Sequence, residues 1–291
     1  MKVQITDVFL RDGLQDEDVI VATADKLAVA EALVAAGVDR IEAGSFVNPK
    51  KVPQMADAEA VFAALPAKDL VTYTALALNA RGIQRAIAAG ASRVAVVTSA
   101  SQAHSSANAG QGIEAALENL AREVAQHPQT SFLAGISTAF TCPFEGDIDA
   151  RYLLRVVRAF KNMGITAIGL ADTLGTTPTG RLMASLAHVR DAEPDLAYSL
   201  HLHNAHGQAL GTVSAAVDAG ITRFDAALAG YGGCPFAPGA HGNIATEEIV
   251  RHLHAAGHDT GIDEDRLAEA VRLARDVVAH SPALTREQVS R

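Results

Sequence analysis

The stretch AAGVDRIEAG at residues 35–44 recurs with the same layout at three further places in this 291-residue chain. The other copies are AAGASRVAVV (88–97), NMGITAIGLA (162–171) and DAGITRFDAA (218–227). In each copy a helical pattern ends on a glycine, usually an arginine follows three residues later, and a short apolar strand begins. Glycine adopts the left-handed conformation that follows many helix C-termini at little cost. The repeat therefore predicts a series of helix–strand units.

Eight strand patterns alternate with helical patterns along the sequence. The predicted strands cover residues 3–10, 40–44, 70–76, 93–98, 132–140, 167–170, 197–202 and 223–226. Strict alternation indicates parallel strands with right-handed crossovers. Eight units favour an α/β fold of the (β/α)8 TIM-barrel type, with a doubly wound open sheet as the alternative. We predict one TIM-barrel domain over residues 1–291, in which about 246–291 form extra C-terminal helices packed on the barrel.

Composition excludes several classes of protein. The net charge is −9 and basic residues form no run, which argues against nucleic-acid binding. No stretch of about 18 apolar residues predicts a membrane span. The first residues read as a strand, without the pattern of a signal or transit segment, so we expect a cytoplasmic location. The only two cysteines, Cys142 and Cys234, do not form a disulfide scaffold in a chain of this length.

Histidines end the seventh predicted strand, at the barrel end where catalytic residues of such folds lie. Alternate residues of a strand share a face, so His201 and His203 point the same way. Asp12 follows the first strand, which neighbours the eighth in a closed barrel. These side chains can bind one divalent cation, although the spacing also suits two structural histidines bonded to backbone carbonyls. Glu42 and Asp172 at other strand ends favour the metal site.

The types of donor atom restrict the choice of metal. Imidazole nitrogens together with carboxylate oxygens suit Mg²⁺, Mn²⁺ or Zn²⁺. No thiolate stands beside the histidines, which argues against a structural zinc site.

Five segments resemble the signature segments of the 3-hydroxy-3-methylglutaryl-CoA lyases, which belong to the metallolyase superfamily of TIM barrels. The segments are FLRDGLQDE (9–17), IEAGSFVNPKKVPQMAD (41–57), LADTLG (170–175), HLHNAHGQAL (201–210) and GYGGCPFAPGAHGNIATEE (230–248). They occur in order over about residues 4–261. Their combination is specific, although none of them would be so alone.

The resemblance implies a role for each matched residue. The implied ligands of a divalent cation, Mg²⁺ or Mn²⁺ before Zn²⁺, are Asp12, His201, His203 and Asn243. The implied catalytic residues are Arg11 at the developing enolate oxygen, Glu42 and Asp172 for site order and proton transfer, and Cys234 on a glycine-rich loop that closes over the substrate. The candidate substrate-binding residues are Gln15, Ser45, Asn48, Lys50 and Thr173.

The implied reaction is a retro-Claisen cleavage of 3-hydroxy-3-methylglutaryl-CoA to acetyl-CoA and acetoacetate, as in leucine degradation. The resemblance also implies an acyl-CoA partner and a homodimer or higher homo-oligomer. The alternatives are a lyase for a related 3-hydroxyacyl-CoA such as citramalyl-CoA, a superfamily aldolase or condensing enzyme, and a catalytically silent barrel kept for binding.

Some positions depart from the family pattern. Asn204, Ala205 and His206 stand where the family usually has Asp, Thr and Tyr, and Gln102 replaces a usual Glu. Removing a carboxylate beside a metal ligand can weaken or reorient the site. The sequence therefore predicts the type of reaction more directly than it predicts the acid part of the substrate.

Overall fold

The computed structural model describes residues 1–67, 69–233 and 242–285, and its central feature is a closed barrel of eight parallel strands. In chain order these strands are β1 (Gln4–Asp7), β2 (Arg40–Ser45), β3 (Thr72–Ala77), β4 (Arg93–Ser99), β5 (Phe132–Ser137), β6 (Ala167–Asp172), β7 (Ala197–Leu202) and β8 (Arg223–Ala226). Parallel pairing of β8 with β1 closes the ring. The predicted TIM barrel is confirmed, and the open-sheet alternative is excluded.

Helices surround the barrel. In the described part of the chain they are α1 (Thr23–Ala35), α2 (Ala58–Ala64), α3 (Ala80–Ala88), α4 (Gln102–Ala109), α5 (Ile113–Gln126), α6 (Ala150–Asn162), α7 (Thr179–Ala192), α8 (Ala209–Asp218), α9 (Thr246–Ala255) and α10 (Glu264–His280). The last helix, α10, packs against α1 and α9. Of the helices that the structure describes, none combines the length and the apolar character needed to traverse a lipid bilayer.

The glycine of each repeat ends its helix as predicted. The φ angles are 92° at Gly37, 83° at Gly90, 81° at Gly164 and 87° at Gly220, all in the left-handed region. At Gly37 the missing side chain has a second consequence. A Cβ there would lie 2.5 Å from the carbonyl oxygen of Gly261, so only glycine lets the end of α1 approach the segment before α10.

The first strand is shorter than the prediction of residues 3–10. It ends at Asp7, and Phe9–Gly13 form a π-helical turn that carries the first candidate site residues. Asp7 is fully buried, and its carboxylate accepts hydrogen bonds from the backbone N–H of Phe9 at 2.9 Å and from the hydroxyl of Thr246 at 2.7 Å. These two bonds hold the start of the turn against the first residue of α9.

Two further differences lie near the top of the barrel. The predicted strand 132–140 ends at Ser137, because Thr138 has a φ of 47° and leaves the extended conformation. Helix α4 was not predicted, since its sequence is polar and has no apolar period. It starts where the hydroxyl of Ser101 accepts a hydrogen bond from the backbone N–H of His104 at 3.0 Å.

Asp7 makes stability depend on pH. Burial raises the pKa of Asp7 to about 7, against the hydrogen bonds from Thr246 and Phe9. The unfolded carboxyl ionises near pH 4, so the folded state binds more protons between about pH 4 and 7 and loses stability as pH rises through this window. Asp7→Asn should remove that loss, on the order of 1 kcal/mol per pH unit. Thermal unfolding from pH 5 to 8 measures this effect: the unfolding midpoint of the variant should exceed that of the wild type by a margin that grows with pH.

The matched control is Asp265→Asn, which removes the same charge from an exposed position on α10. Its unfolding midpoint should follow that of the wild type across the whole range. Identical pH profiles for the two variants would contradict the role given to Asp7.

Candidate active site

A cleft of about 1030 Å³ opens at the C-terminal mouth of the barrel. Most of the predicted site residues line it, on the turn after β1, on β2, at the end of β7 and after β6. These lining residues are Arg11, Asp12, Gln15, Glu42, Thr173, His201 and His203. The fold thus brings segments that are distant in the sequence into one cleft, as their positions at strand ends predict.

Asp12, His201 and His203 converge on one point. Their ligand atoms all lie within 4.8 Å of one another. The Oδ2 atom of Asp12 is 3.7 Å from Nε2 of His201 and 3.6 Å from Nε2 of His203. The two Nε2 atoms are 3.2 Å apart. We call these three residues the Asp–His–His cluster.

Asn243 completes the surroundings of this cluster. It forms an antiparallel bridge with His203, and its amide nitrogen donates to Oδ2 of Asp12 at 2.7 Å and to the carbonyl of Tyr231 at 3.0 Å. Its Oδ1 is buried and has no hydrogen-bond partner among the described residues. Gly232 has a φ of 105°, and a Cβ there would lie 2.6 Å from the Asn243 amide nitrogen. Glycine therefore allows this chain segment to reach the cluster.

The residues present fit a divalent cation. A carboxylate, two imidazoles and an amide oxygen are donors that Mg²⁺, Mn²⁺ and Zn²⁺ accept. The buried, unpartnered Oδ1 of Asn243 is an acceptor that a cation would satisfy once the amide turns. The Nε2 atoms of His201 and His203 lie 3.2 Å apart, so a cation between them would accept a lone pair from each ring once neither nitrogen carries a proton.

Asp225 is a part of the site that the sequence reasoning missed. It lines the cleft, and its Oδ2 lies 3.4 Å from Nδ1 of His201. The two residues are register partners on β8 and β7. A proton held on Nδ1 toward Asp225 leaves Nε2 of His201 free to bind a cation. The alternation of side chains that indicated a shared direction for His201 and His203 also applies to the RFD segment of the fourth repeat. It would have predicted that Asp225 points into the barrel.

Arg11 lies between two carboxylates. Its Nε and Nη2 atoms are each 2.6 Å from Oε2 of Glu42, and Nη1 pairs with Asp12. Burial opposes ionisation of Asp12, yet Arg11 and the two imidazoles outweigh it and hold the pKa of Asp12 well below its usual range. Burial raises the pKa of Glu42 despite Arg11, and nearby Asp225 raises it further. The two carboxylates therefore differ in their readiness to hold a proton.

Asp172 and Ser45 do not line the cleft. Asp172 is buried on β6, and its carboxylate accepts from the hydroxyl of Thr177 at 2.7 Å and from the backbone N–H of the same residue at 3.3 Å. Its backbone oxygen accepts from the N–H of His203 at 3.4 Å. Ser45 is fully buried next to a register shift in β2. The structure thus places Asp172 where it orders the loop beside β7, away from the cleft surface.

Asn48 and Lys50 lie in a neighbouring groove of about 2110 Å³, which shares Val47 with the cleft. Both are exposed, and the backbone N–H of Lys50 donates to Oδ1 of Asn48 at 3.0 Å. Arg81 and Arg122 line the same groove. The predicted catalytic residue Cys234 lies outside the described residues.

The fold and the site define a TIM-barrel protein with an Asp–His–His cluster beside an arginine at the C-terminal mouth of the barrel. The chain belongs to the HMGL-like family, whose sequence model matches residues 2–274. The resemblance to the 3-hydroxy-3-methylglutaryl-CoA lyases is thereby confirmed.

Relatives and solved structures agree with this assignment. A Pseudomonas aeruginosa protein named 3-hydroxy-3-isohexenylglutaryl-CoA/hydroxy-methylglutaryl-CoA lyase is 39% identical over 92% of this chain and 90% of its own length. The human mitochondrial hydroxymethylglutaryl-CoA lyase is 36% identical over 92% of this chain and 83% of its own length. An HMG-CoA lyase from Acinetobacter baumannii, solved with coenzyme A and 3-methylmalate, superposes with a TM-score of 0.92, covers 100% of this chain and 95% of its own, and is 37% identical.

Replacement of His203 by alanine should abolish tight cation binding without unfolding the barrel. The variant removes one of the three converging ligand atoms, and we expect Mn²⁺ affinity to fall by about 100-fold or more. Calorimetric titration of the metal-free protein with Mn²⁺ measures the loss. Unchanged affinity in a variant with a normal unfolding midpoint would contradict the assignment of the cluster.

Asp225→Asn should weaken Mn²⁺ binding by about 10- to 100-fold, because the imidazole of His201 loses the carboxylate that orients it. Asp218→Asn, at an exposed position at the end of α8, removes the same charge and should leave the affinity unaltered. The same titration compares the two variants, and equal affinities would contradict the role given to Asp225 in the cation site.

Proposed function

We propose that this protein is a divalent-cation-dependent acyl-CoA lyase that cleaves 3-hydroxy-3-methylglutaryl-CoA to acetyl-CoA and acetoacetate. The observation that carries the proposal is the convergence of Asp12, His201 and His203 on one point, with Arg11 beside them in the same cleft. The names of the relatives support the same substrate class.

The proposed cation is Mg²⁺ or Mn²⁺, with Zn²⁺ less favoured, and Asp12, His201, His203 and Asn243 would hold it. When bound, such an ion supplies Lewis-acid chemistry that favours ionisation of the substrate hydroxyl and orients the substrate. The buried side-chain oxygen of Asn243, which has no partner among the described residues, supports this ligand set.

The reaction requires charge and proton transfer in defined places. The tertiary hydroxyl loses its proton, the bond to the thioester α-carbon breaks, and the electron pair of that bond passes to the thioester as an enolate. A proton added to the α-carbon then gives acetyl-CoA. Fixed positive charge at the enolate oxygen lowers the barrier, since it is already in place as the negative charge develops.

Arg11 suits the task of enolate stabilisation. Its guanidinium is held from both sides by Glu42 and Asp12, so it does not have to reorganise during the reaction. Glu42, whose pKa burial raises, is placed beside Arg11 to take up or return a proton. Cys234 remains the proposed proton donor on the strength of the resemblance, and Asp172 the proposed positioning group next to His203.

The groove that continues from the cleft at Val47 suits the anionic part of coenzyme A. Lys50, Arg81 and Arg122 are exposed cations on its walls. Arginine and lysine bind phosphate oxygens through charge-assisted hydrogen bonds. Gln15 and Thr173, at the surface of the cleft, are the proposed contacts to the acyl portion.

A longer branched acyl chain is a second candidate substrate. The cleft has an apolar wall formed by Val47, Leu76, Leu78, Val97 and Ile136. The Pseudomonas aeruginosa relative is named for a 3-isohexenyl substrate as well as for the 3-methyl one. Citramalyl-CoA would use the same residues with a different acid chain.

The cytoplasmic location, the role in leucine degradation and the homo-oligomer remain predictions.

The test is a cleavage assay on a panel of acyl-CoAs: 3-hydroxy-3-methylglutaryl-CoA, its 3-isohexenyl analogue and citramalyl-CoA. We expect acetyl-CoA from the first, with Mg²⁺ or Mn²⁺ present, and loss of the activity after EDTA. Arg11→Lys should lower kcat about 100-fold or more. Cys234→Ala should slow turnover by orders of magnitude while Mn²⁺ still binds.

Two results would overturn the proposal. One is no cleavage of any substrate by protein that binds Mn²⁺. The other is cleavage that EDTA and the Arg11→Lys variant leave unchanged. Arg272→Lys, at an exposed position on α10, makes the same substitution far from the cleft and should keep full turnover.

A further inference from the structure

The repeat that predicts the fold carries an arginine whose role the active site does not explain. Arg40, Arg93 and Arg223 are the first residues of β2, β4 and β8, and Ala167 is the first residue of β6. All four line a cavity of about 580 Å³ at the N-terminal mouth, opposite the active site. In TIM barrels, alternate strands contribute the members of one interior layer. We call the three arginines the arginine layer.

The arginine layer has no acidic partner in the part of the chain that the structure describes. Nε of Arg93 donates only to the hydroxyl of Ser131 at 3.3 Å, and Nε of Arg223 donates to the side-chain oxygen of Gln4 at 3.2 Å. Nε of Arg40 is buried and has no partner among the described residues. Three positive charges therefore face one cavity, and the acceptors that the Nε atoms of Arg93 and Arg223 reach are neutral.

The two carboxylates that line the same cavity, Glu42 and Asp225, contact residues of the active site and not the arginine layer. Glu42 lies one level deeper in the barrel and pairs with Arg11 at 2.6 Å. Asp225 lies at the same depth and faces Nδ1 of His201 at 3.4 Å. Neither carboxylate forms an ion pair with the arginine layer within 4.0 Å in the described structure. Among the residues that the structure describes, no carboxylate therefore serves as a counterion for the positive charge at the N-terminal mouth.

The arginines are close enough to repel one another. Burial lowers the pKa of Arg93, and the charges of Arg40 and Arg223 lower it further. Such repulsion opposes folding unless an anion offsets it. The half-buried Arg40 and Arg93 lie inside the mouth, and the exposed Arg223 lies at its rim, so an anion from solvent can reach all three.

We propose that the arginine layer binds a small tetrahedral oxyanion, either inorganic phosphate or the phosphate group of a monoester, at the N-terminal mouth of the barrel. Guanidinium groups from three strands around one axis match the several oxygens of such an ion, and each can form charge-assisted hydrogen bonds with it. Ala167, on the fourth strand of the layer, adds only a methyl group to the cavity wall. This site is independent of the proposed lyase activity.

The test measures phosphate binding by the full-length protein, with EDTA present and ionic strength held constant with sodium chloride. Calorimetric titration and thermal unfolding should show binding of inorganic phosphate that chloride does not reproduce, with a rise in the unfolding midpoint. Arg40→Gln, Arg93→Gln and Arg223→Gln should each weaken the affinity about tenfold or more. A parallel titration with glycerol phosphate shows whether the mouth also takes a monoester.

A matched control and a second readout keep the test decisive. Arg272→Gln, at an exposed position on α10, removes the same charge and should bind phosphate as the wild type does. In phosphate-free buffer Arg223→Gln should be at least as stable as the wild type, because repulsion is relieved. The proposal is overturned by a wild-type response no greater than that to chloride, or by phosphate binding that survives all three substitutions.

Discussion

Closure of the barrel by β1 and β8 is the constraint on which the rest of the structure depends. The pairing runs from Gln4 with Arg223 to Asp7 with Ala226. It brings the π-helical turn after β1 beside β7 and β8, and thereby sets Asp12 against the two histidines. In a doubly wound open sheet β1 lies inside the sheet and does not pair with β8. The cluster exists because the ring closes.

Charge is arranged in levels along the barrel axis. The arginine layer lies at the N-terminal mouth, Glu42 and Asp225 lie at middle depth, and Arg11 and the histidines lie at the C-terminal mouth. The carboxylates at middle depth contact residues of the C-terminal mouth: Glu42 orients Arg11, and Asp225 orients His201. This leaves the lower arginines without an acidic partner among the described residues, and it gives the two ends of one barrel different chemistry.

Local sequence determined much of the site because strand alternation is a local property. The spacing of His201 and His203, and the motifs around Arg11 and Asn243, predicted the cluster that the structure forms. The same reasoning did not place Ser45, Asn48 and Lys50, since their side-chain directions depend on a strand bulge and on loops. Asp172 alternates with the cleft-lining Gly169 and Ala171 on β6 and therefore faces away from the cleft. It missed Asp225, which matters only because register puts it beside His201.

The sequence by itself determined the barrel class, the helix ends at the repeat glycines and the donor set of the cluster. These follow from periodicity, from the low cost of left-handed backbone at glycine and from residue type. Tertiary structure alone decided the π-helical turn after β1, which depends on the bonds of Asp7 to Phe9 and Thr246. It also decided that the repeat arginines share one layer, because that requires the register and closure of strands far apart in the chain.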